Sequence, residues 1–205
     1  MGERPAVLFD LGGVFLDWDP RYLYAPLFGE DTEGMERFLT TVCTPEWHAR
    51  QDLGRSTDEA CQELAQVYPE HAELIYAWRD GTEQMIGGVF EETVDLLAEL
   101  RGRGVTCYAF SNMEPETYDR RLGLYPFLNW FDGSFISGHE GVMKPDPRYF
   151  RRGLSRFGLL PDEVVFVDDR PLNIESAGAL GMAVIWFRTV PRLRRRLARL
   201  GLLEP

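Results

Sequence analysis

The stretch EVVFVDDRPLNIESAGALGMAVIWF, residues 163–187, decides the fold class of this chain. It begins and ends with short apolar runs that resemble buried strands, and the segment between them has the pattern of a helix. Two strands joined by a helix in this way form a βαβ unit, in which the strands lie parallel in one sheet. The stretch therefore predicts an α/β protein with a parallel sheet.

The same alternation extends along most of the chain. Three further runs resemble buried strands: AVLFDL at 6–11, VTCYAFS at 105–111 and FDGSFIS at 131–137. The long gap from about residue 17 to 88 is different, because its apolar residues repeat at helical spacing with no strand among them. We therefore expect a sheet core formed by residues 1–16 and 89–205, and an all-helical insertion at 17–88.

Composition limits the classes of protein to consider. A chain of 205 residues with 44% apolar residues can bury one substantial core and a small second one, so a disordered chain is excluded. The formal charge of −11 repels polyanions. The basic run RLRRRLARL near the end of the chain is explained more simply as the exposed face of a terminal helix. We expect no nucleic-acid partner.

The cysteines and the first residues indicate the compartment. The three cysteines are odd in number and lack the spacing of a zinc site or of a disulfide framework. The start, MGERPAVLFD, does not have the pattern of a leader, and no apolar run approaches the roughly 18 residues of a membrane span. We expect a soluble cytoplasmic protein with reduced thiols and no membrane partner. The sequence leaves the choice between monomer and homodimer open.

Polar side chains stand where three of the predicted strands end. Asp10 follows the first strand, Ser111 and Asn112 end the second, and Asp168 and Asp169 end the fourth. Each of them alone is explained better as the cap of a following helix. Together, three carboxylates and a hydroxyl at one sheet edge would repel each other without a cation, and oxygen ligands suit Mg²⁺. The joint pattern predicts a magnesium site.

The segment GHEGVMKPDPRYF, residues 138–150, contains Lys144, the single lysine among the 22 lysines and arginines of the chain. One explanation is chance in a composition biased toward arginine. The other is that the position needs a compact ammonium rather than a planar guanidinium. Pro145 favours an extended backbone at Lys144, so the loop is expected to present the ammonium ahead of a helix that begins near Arg148.

Four segments in this order, FDLGGVFLD, FSN, KPDPRYF and VDDRPLNIESAGALGM, strongly resemble the four motifs of the haloacid dehalogenase-like hydrolase superfamily. The resemblance spans essentially the whole chain. Within the superfamily, the chain most resembles the glucose-1-phosphatase-like phosphatases, which are often labelled haloalkanoic acid dehalogenase-like. The resemblance implies a Rossmann-like core with a mobile helical cap inserted after the first strand, which is the position of residues 17–88.

The resemblance also implies a role for each polar residue. Asp10 would be the nucleophile, forming an aspartyl-phosphate that water then hydrolyses. Ser111, the backbone N–H of Asn112 and Lys144 would bind the phosphate oxygens. Trp47 and Arg50 in the cap are our choices for residues that face the substrate. The implied Mg²⁺ set is Asp10, Gly12 through its backbone carbonyl, Asp169 as the usual direct ligand, Asp168 beside it, and Asn173 as a supporting residue.

The sequence departs from the commonest family pattern at Gly12. Many phosphatases of the family have there a second aspartate that protonates the leaving group, a contribution of about 10²–10⁴-fold. A glycine still supplies a carbonyl to the metal but no proton. We therefore expect a preference for substrates whose leaving group departs with little protonation, such as anomeric sugar phosphates or acyl phosphates. His139 is a candidate substitute, although an ordinary loop histidine is the simpler explanation.

The predicted function is a Mg²⁺-dependent phosphatase that acts on a small phosphorylated metabolite, such as glucose 1-phosphate. A 2-haloacid dehalogenase is the first alternative, since it uses the same nucleophile without a metal. Gly12 disfavours this alternative, because such dehalogenases usually have an aromatic residue two positions after the nucleophile. The paired Asp168 and Asp169 also disfavour it, because such dehalogenases lack the paired acids. The second alternative is a catalytically silent binding or regulatory protein, suggested by Gly12 alone.

Overall fold

The computed structural model describes residues 4–204, in which a five-stranded parallel sheet lies between layers of helices. Its strand order is β5-β4-β1-β6-β7, with the first strand of the chain at the centre. The α/β class with a Rossmann-like parallel core is confirmed. The strands of the described chain are β1 (Ala6–Phe9), β2 (Leu16–Trp18), β3 (Ile86–Val89), β4 (Cys107–Ser111), β5 (Gly133–Ile136), β6 (Val164–Asp168) and β7 (Ala183–Trp186).

The helices fill the gaps between these strands, and five of them fall between β2 and β3. Several begin with a side-chain cap: for example, Asp31, Thr44 and Ser56 each accept a hydrogen bond from a backbone N–H three residues on. The α-helices are α1 (Arg21–Phe28), α2 (Thr32–Thr41), α3 (Pro45–Asp52), α4 (Thr57–Val67), α5 (Ala72–Asp80), α6 (Glu91–Gly102), α7 (Pro115–Leu124), α8 (Ser137–Glu140), α9 (Pro147–Phe157), α10 (Pro171–Ala179) and α11 (Val190–Arg199).

The central strand is buried on both faces, as its continuous apolar run requires. Val7 and Phe9 point into one hydrophobic core, together with Leu97 of α6 and Leu197 of α11. Leu8 points into the other, which includes residues of α9 and α10. All five predicted strands of the sheet are present, each a little shorter than its apolar run.

A third hydrophobic cluster belongs to the segment between β2 and β3. It is built from buried side chains between Leu23 and Met85, so it has a core separate from the two on the sheet. Tyr24 is at its centre: the ring lies 5.1 Å from that of Phe38, and the hydroxyl donates to the carbonyl of Leu74 at 2.8 Å. We call the residues of this cluster and the helices that carry them the cap.

The base of the cap is not helical, which corrects the expectation of an all-helical insertion. Strands β2 and β3 pair antiparallel, with Leu16 opposite Val89 and Asp17 opposite Gly88. The chain enters the cap through β2 and returns to the core through β3, so both connections lie in this two-stranded ribbon. The strand β3 was not predicted from its sequence, IGGV. Two glycines weaken a strand signal, and the run is too short to show alternation.

The three cysteines, Cys43, Cys61 and Cys107, are buried free thiols. Burial raises the pKa of Cys61 and of Cys107 to about 12, so these sulfur atoms stay protonated at neutral pH. Within residues 4–204, no helix combines the length and the apolar character needed to cross a membrane.

Candidate active site

Asp10 stands directly after β1, at the centre of the carboxyl edge of the sheet, and is buried. Its backbone N–H donates to the carbonyl of Val167 at 2.9 Å, which continues the parallel pairing by one residue. The carboxylate oxygen Oδ1 accepts from the backbone N–H of Leu11 at 2.8 Å and from the hydroxyl of Ser111 at 3.2 Å. Among residues 4–204 no donor reaches Oδ2, so one oxygen is fixed and the other is free.

Lys144 lies between two carboxylates at the same edge. Its ammonium is 2.9 Å from Oδ1 of Asp10 and 2.7 Å from Oδ2 of Asp168, and the side chain is 1% exposed. Burial alone would lower the pKa of Lys144, but the carboxylates of Asp10 and Asp168 outweigh it and raise that pKa above its usual value. The lysine is therefore a charged ammonium at neutral pH.

Asn112 positions the backbone of this lysine. Its side-chain amide donates to the carbonyl of Lys144 at 2.9 Å, and its side-chain oxygen accepts from the N–H of Lys144 at 3.0 Å. The family resemblance implies only a backbone role for Asn112 and does not predict this pair of side-chain hydrogen bonds. No local pattern could reveal it, because the two residues are 32 positions apart in sequence.

Asp168 is fully buried at the end of β6, and donors surround its carboxylate. The amide of Asn173 donates to both oxygens at 3.0 Å, and the backbone N–H of Arg170 donates to Oδ1 at 2.8 Å. With Lys144 on Oδ2, the orientation of this carboxylate is fixed. Asn173 thus holds the Asp168 carboxylate in its orientation.

Asp169 is less buried and faces the backbone turn that follows Asp10. A Cβ atom at Gly13 would lie 2.5 Å from Oδ2 of Asp169, and the φ of Gly13 is +69°. Only glycine permits both this backbone conformation and the close approach. Burial, helped by the charge of Asp168, raises the pKa of Asp169 above its usual value.

The three carboxylates form one cluster. Asp10, Asp168 and Asp169 each offer an oxygen within 4.8 Å of the others. Burial raises the pKa of Asp10 to about 7, with Lys144 opposing the shift and the two neighbouring carboxylates adding to it. A single ammonium does not balance three carboxylates, and the donors are all oxygen, so the cluster fits a hard divalent cation such as Mg²⁺.

A cavity of about 670 Å³ lies between this cluster and the cap. Its floor is formed by two carboxylates of the cluster, Asp10 and Asp169, and by Gly12, Ser111, Asn112 and Lys144. The cap contributes walls that are largely apolar and aromatic, with a polar strip along α3. The apolar wall includes Trp18, Leu39, Cys43, Trp78 and Met85, and the strip is His48, Gln51 and Asp52.

Two expected substrate contacts are not on this wall. Trp47 is buried in the cap core, with its ring 5.3 Å from that of Trp78, and Arg50 is exposed on the outer surface. The side of α3 that lines the cavity carries His48 instead, because successive helical residues are about 100° apart. The sequence signal for the residues that face the cavity is the spacing of His48 and Asp52, which are four residues apart and so lie on one face of α3.

His139, the candidate substitute for the missing acid, is exposed and does not line the cavity. Its helix α8 follows β5 at the sheet edge, but the imidazole lies on the outside. The structure therefore agrees with the simpler explanation, an ordinary surface histidine.

The fold and the site define a Rossmann-like α/β enzyme with a buried acidic centre beneath a cap. The model of the haloacid dehalogenase-like hydrolases matches residues 5–181, so the chain belongs to this family. The assignment agrees with the four motifs found in the sequence.

Named relatives include phosphatases. A sesquiterpene phosphatase of Aspergillus oryzae is 28% identical over 179 residues, covering 86% of each chain. A phosphoserine phosphatase of Thermus thermophilus is 33% identical over 99 residues, covering 48% of this chain and 40% of its own. A solved HAD-family enzyme of Bacteroides thetaiotaomicron, in complex with magnesium and inorganic phosphate, has a TM-score of 0.70 at 20% identity, covering 91% and 95% of the two chains.

Proposed function

We propose that this protein is a Mg²⁺-dependent phosphoric monoester hydrolase that uses Asp10 as its nucleophile. The observation that carries the proposal is the asymmetry of the Asp10 carboxylate, in which Oδ1 is held by three donors while Oδ2 meets none among residues 4–204. A fixed carboxylate with one open oxygen at the floor of a cavity is arranged for attack on an electrophile.

The reaction follows from these contacts. Oδ2 of Asp10 forms a bond to phosphorus while the bond to the leaving alcohol breaks, and water then hydrolyses the aspartyl-phosphate. The hydroxyl of Ser111 and the ammonium of Lys144 lie beside Asp10, where they can stabilise negative charge on the phosphoryl oxygens. Mg²⁺ held by Asp10, the Gly12 carbonyl and Asp169, with Asp168 and Asn173 behind them, would supply positive charge and orient the phosphate.

The substrate is a small phosphorylated metabolite, since the cavity between the carboxylate cluster and the cap has a volume of about 670 Å³. The resemblance to glucose-1-phosphatase-like enzymes supports a sugar phosphate. The wall of Trp18, Leu39, Trp78 and Met85 supports a more apolar alcohol, and the sesquiterpene phosphatase among the relatives is in line with that choice. A panel with glucose 1-phosphate, glucose 6-phosphate, glycerol phosphate and farnesyl phosphate separates the two classes.

The alternatives predict different chemistry. A 2-haloacid dehalogenase needs no metal and has no use for the cluster of Asp10, Asp168 and Asp169. A silent binding protein has no use for an open nucleophilic oxygen next to a buried ammonium. The cluster and the oxygen together favour the phosphatase.

The first test is hydrolysis of p-nitrophenyl phosphate with and without a chelator. We expect Mg²⁺-dependent turnover in the wild type, and loss of nearly all activity in EDTA and in Asp10→Asn, because the amide is not a nucleophile. Melting curves check that the variant is folded. Activity that persists in Asp10→Asn would contradict the mechanism, and chloroacetate turnover in EDTA without phosphatase activity would support the dehalogenase.

A further inference from the structure

The polar strip of the cap contains a carboxyl group that has no role in the chemistry described above. Asp52 is the last residue of α3, and it lines the same cavity as Asp10 and Gly12. Its side chain is 15% exposed. An acidic residue is disfavoured at a helix C-terminus, where the helix dipole places partial negative charge. The helix dipole therefore gives no reason for an aspartate at this position.

The core holds the backbone of Asp52 in place. The hydroxyl of Ser137, directly after β5, donates to the carbonyl of Asp52 and itself accepts from the N–H of Met113 at 3.0 Å. Two residues further on, a Cβ atom at Gly54 would lie 2.5 Å from the carbonyl oxygen of Gly138. The end of α3 is thus pressed against the carboxyl edge of the sheet, beside the strand that carries Ser111.

The side chain of Asp52 is free to hold a proton. Nε2 of His48, one turn earlier, lies 3.7 Å from its Oδ1, which is beyond hydrogen-bond distance, and no donor among residues 4–204 bonds to either oxygen. The imidazole is fixed between Trp18, with ring centres 5.2 Å apart, and Trp78, at 5.1 Å. Burial raises the pKa of Asp52 above its usual value, although His48 and more distant cations oppose the shift.

The other acid that lines the cavity outside the carboxylate cluster, Glu114 of the core, is already engaged. One oxygen of Glu114 accepts from the N–H of Thr57 at 3.0 Å, and the other accepts from the hydroxyl of Thr117 at 3.0 Å. With both oxygens engaged by donors, Glu114 ties the start of α4 to the core. Among the carboxyl groups of the cavity outside the carboxylate cluster, Asp52 is the one whose oxygens have no hydrogen-bond donor within residues 4–204.

We propose that Asp52 is the general acid and base of this hydrolase, contributed by the cap in place of the side chain missing at Gly12. The inference rests on the proposed phosphatase function. A Cβ atom at Gly12 would meet no atom within 4 Å, so the space that a second aspartate would fill is open to a group from the cap. His48 is the positioning residue, because its fixed ring lies against the Asp52 carboxyl.

The proton balance of the two steps is closed. As Oδ2 of Asp10 bonds to phosphorus, the bond from phosphorus to the ester oxygen breaks, and the Asp52 carboxyl gives its proton to that oxygen. The neutral alcohol leaves and Asp52 becomes a carboxylate. It then takes a proton from the water that attacks the aspartyl-phosphate, inorganic phosphate departs, and both aspartates return to their starting states.

The experiment compares leaving groups of similar shape and different basicity. Steady-state kinetics are measured with p-nitrophenyl, phenyl and benzyl phosphate for the wild type, for Asp52→Asn, and for Asp58→Asn as a matched control. Asp58 is an exposed cap residue paired with Arg79, away from the cavity. If Asp52→Asn does not fold, Asp52→Ser gives the same comparison.

We expect Asp52→Asn to lower kcat/KM for benzyl phosphate by about 10²-fold or more, and for p-nitrophenyl phosphate by less than about 10-fold. The reason is that p-nitrophenolate leaves without protonation whereas an alkoxide does not. The control should match the wild type on all three substrates. An equal loss on all three substrates, or no loss, would overturn the role of Asp52 while leaving the phosphatase intact. A wild type inactive on every phosphate ester would instead overturn the proposed function itself.

Discussion

At the residue scale, the composition of the chain already points to Lys144. The chain uses arginine almost everywhere and one lysine, and that lysine is buried between Asp10 and Asp168. A compact ammonium contacts both carboxylates at 2.7 and 2.9 Å, whereas a guanidinium is wider and suited to bidentate pairing with one partner. The geometry explains why arginine is not used at this position.

Replacing this lysine by arginine should therefore harm catalysis although the charge is kept. We expect Lys144→Arg to lower kcat/KM on p-nitrophenyl phosphate by about 10²-fold, or about 3 kcal/mol of transition-state stabilisation. Stability should fall as well, by about 1–3 kcal/mol, because the side chain is buried and the larger group overpacks its site. Steady-state kinetics and melting curves measure the two effects.

The exposed Arg148 in the same motif provides the control, since Arg148→Lys changes only a surface pair with Asp146. That variant should be close to the wild type in both measurements. Wild-type kinetics in Lys144→Arg would show that the site needs only a positive charge, and the single lysine would then be a matter of chance.

At the scale of elements, the sequence predicted which strands and helices would form more reliably than which of their faces would meet. The polar ends of β1, β4 and β6 were predictable because the carboxyl ends of parallel strands share one edge. The face of α3 that lines the cavity was not predictable in this way. Adjacent residues of a helix are rotated by about 100°, so His48 lines the cavity whereas Trp47 beside it does not. Side-chain contacts between distant segments, such as that of Asn112 with Lys144, have no local signal.

The contact between the end of α3 and the core can be tested at Gly54. This residue has a φ of +98°, and a Cβ atom there would lie 2.5 Å from the carbonyl oxygen of Gly138. We expect Gly54→Ala to push α3 away from the sheet edge and to lower kcat/KM by about 10-fold or more, since small displacements of catalytic groups are costly. The measurement is steady-state kinetics with p-nitrophenyl phosphate.

Gly29 is the matched control, because its φ is +58° but a Cβ atom there would meet nothing within 4 Å. Gly29→Ala should cost about 1 kcal/mol of stability through backbone strain and leave kcat/KM nearly unchanged. Equal effects of the two substitutions on kcat/KM would mean that the close approach of Gly54 to the core does not matter for catalysis.

At the scale of the whole molecule, the division into a sheet core and a cap follows from hydrophobic periodicity. The five buried runs became the parallel sheet, and the helical segment from 17 to 88 contributes a core of its own. The ribbon of β2 and β3 was missed because pairing of short strands at 16–18 and 86–89 is a contact between distant segments. The cavity that both parts enclose is likewise a property of their packing, which no single segment encodes.

The most direct test of the central claim is to find where the phosphoryl group goes in the first turnover. The wild type is mixed with p-nitrophenyl phosphate and Mg²⁺, quenched in acid within one turnover, digested, and analysed by peptide mass spectrometry. The account predicts a gain of one phosphoryl group on the peptide that contains Asp10, and no gain in Asp10→Asn. Phosphate on another residue, or release of p-nitrophenol with no phosphorylated peptide at any quench time, would contradict it.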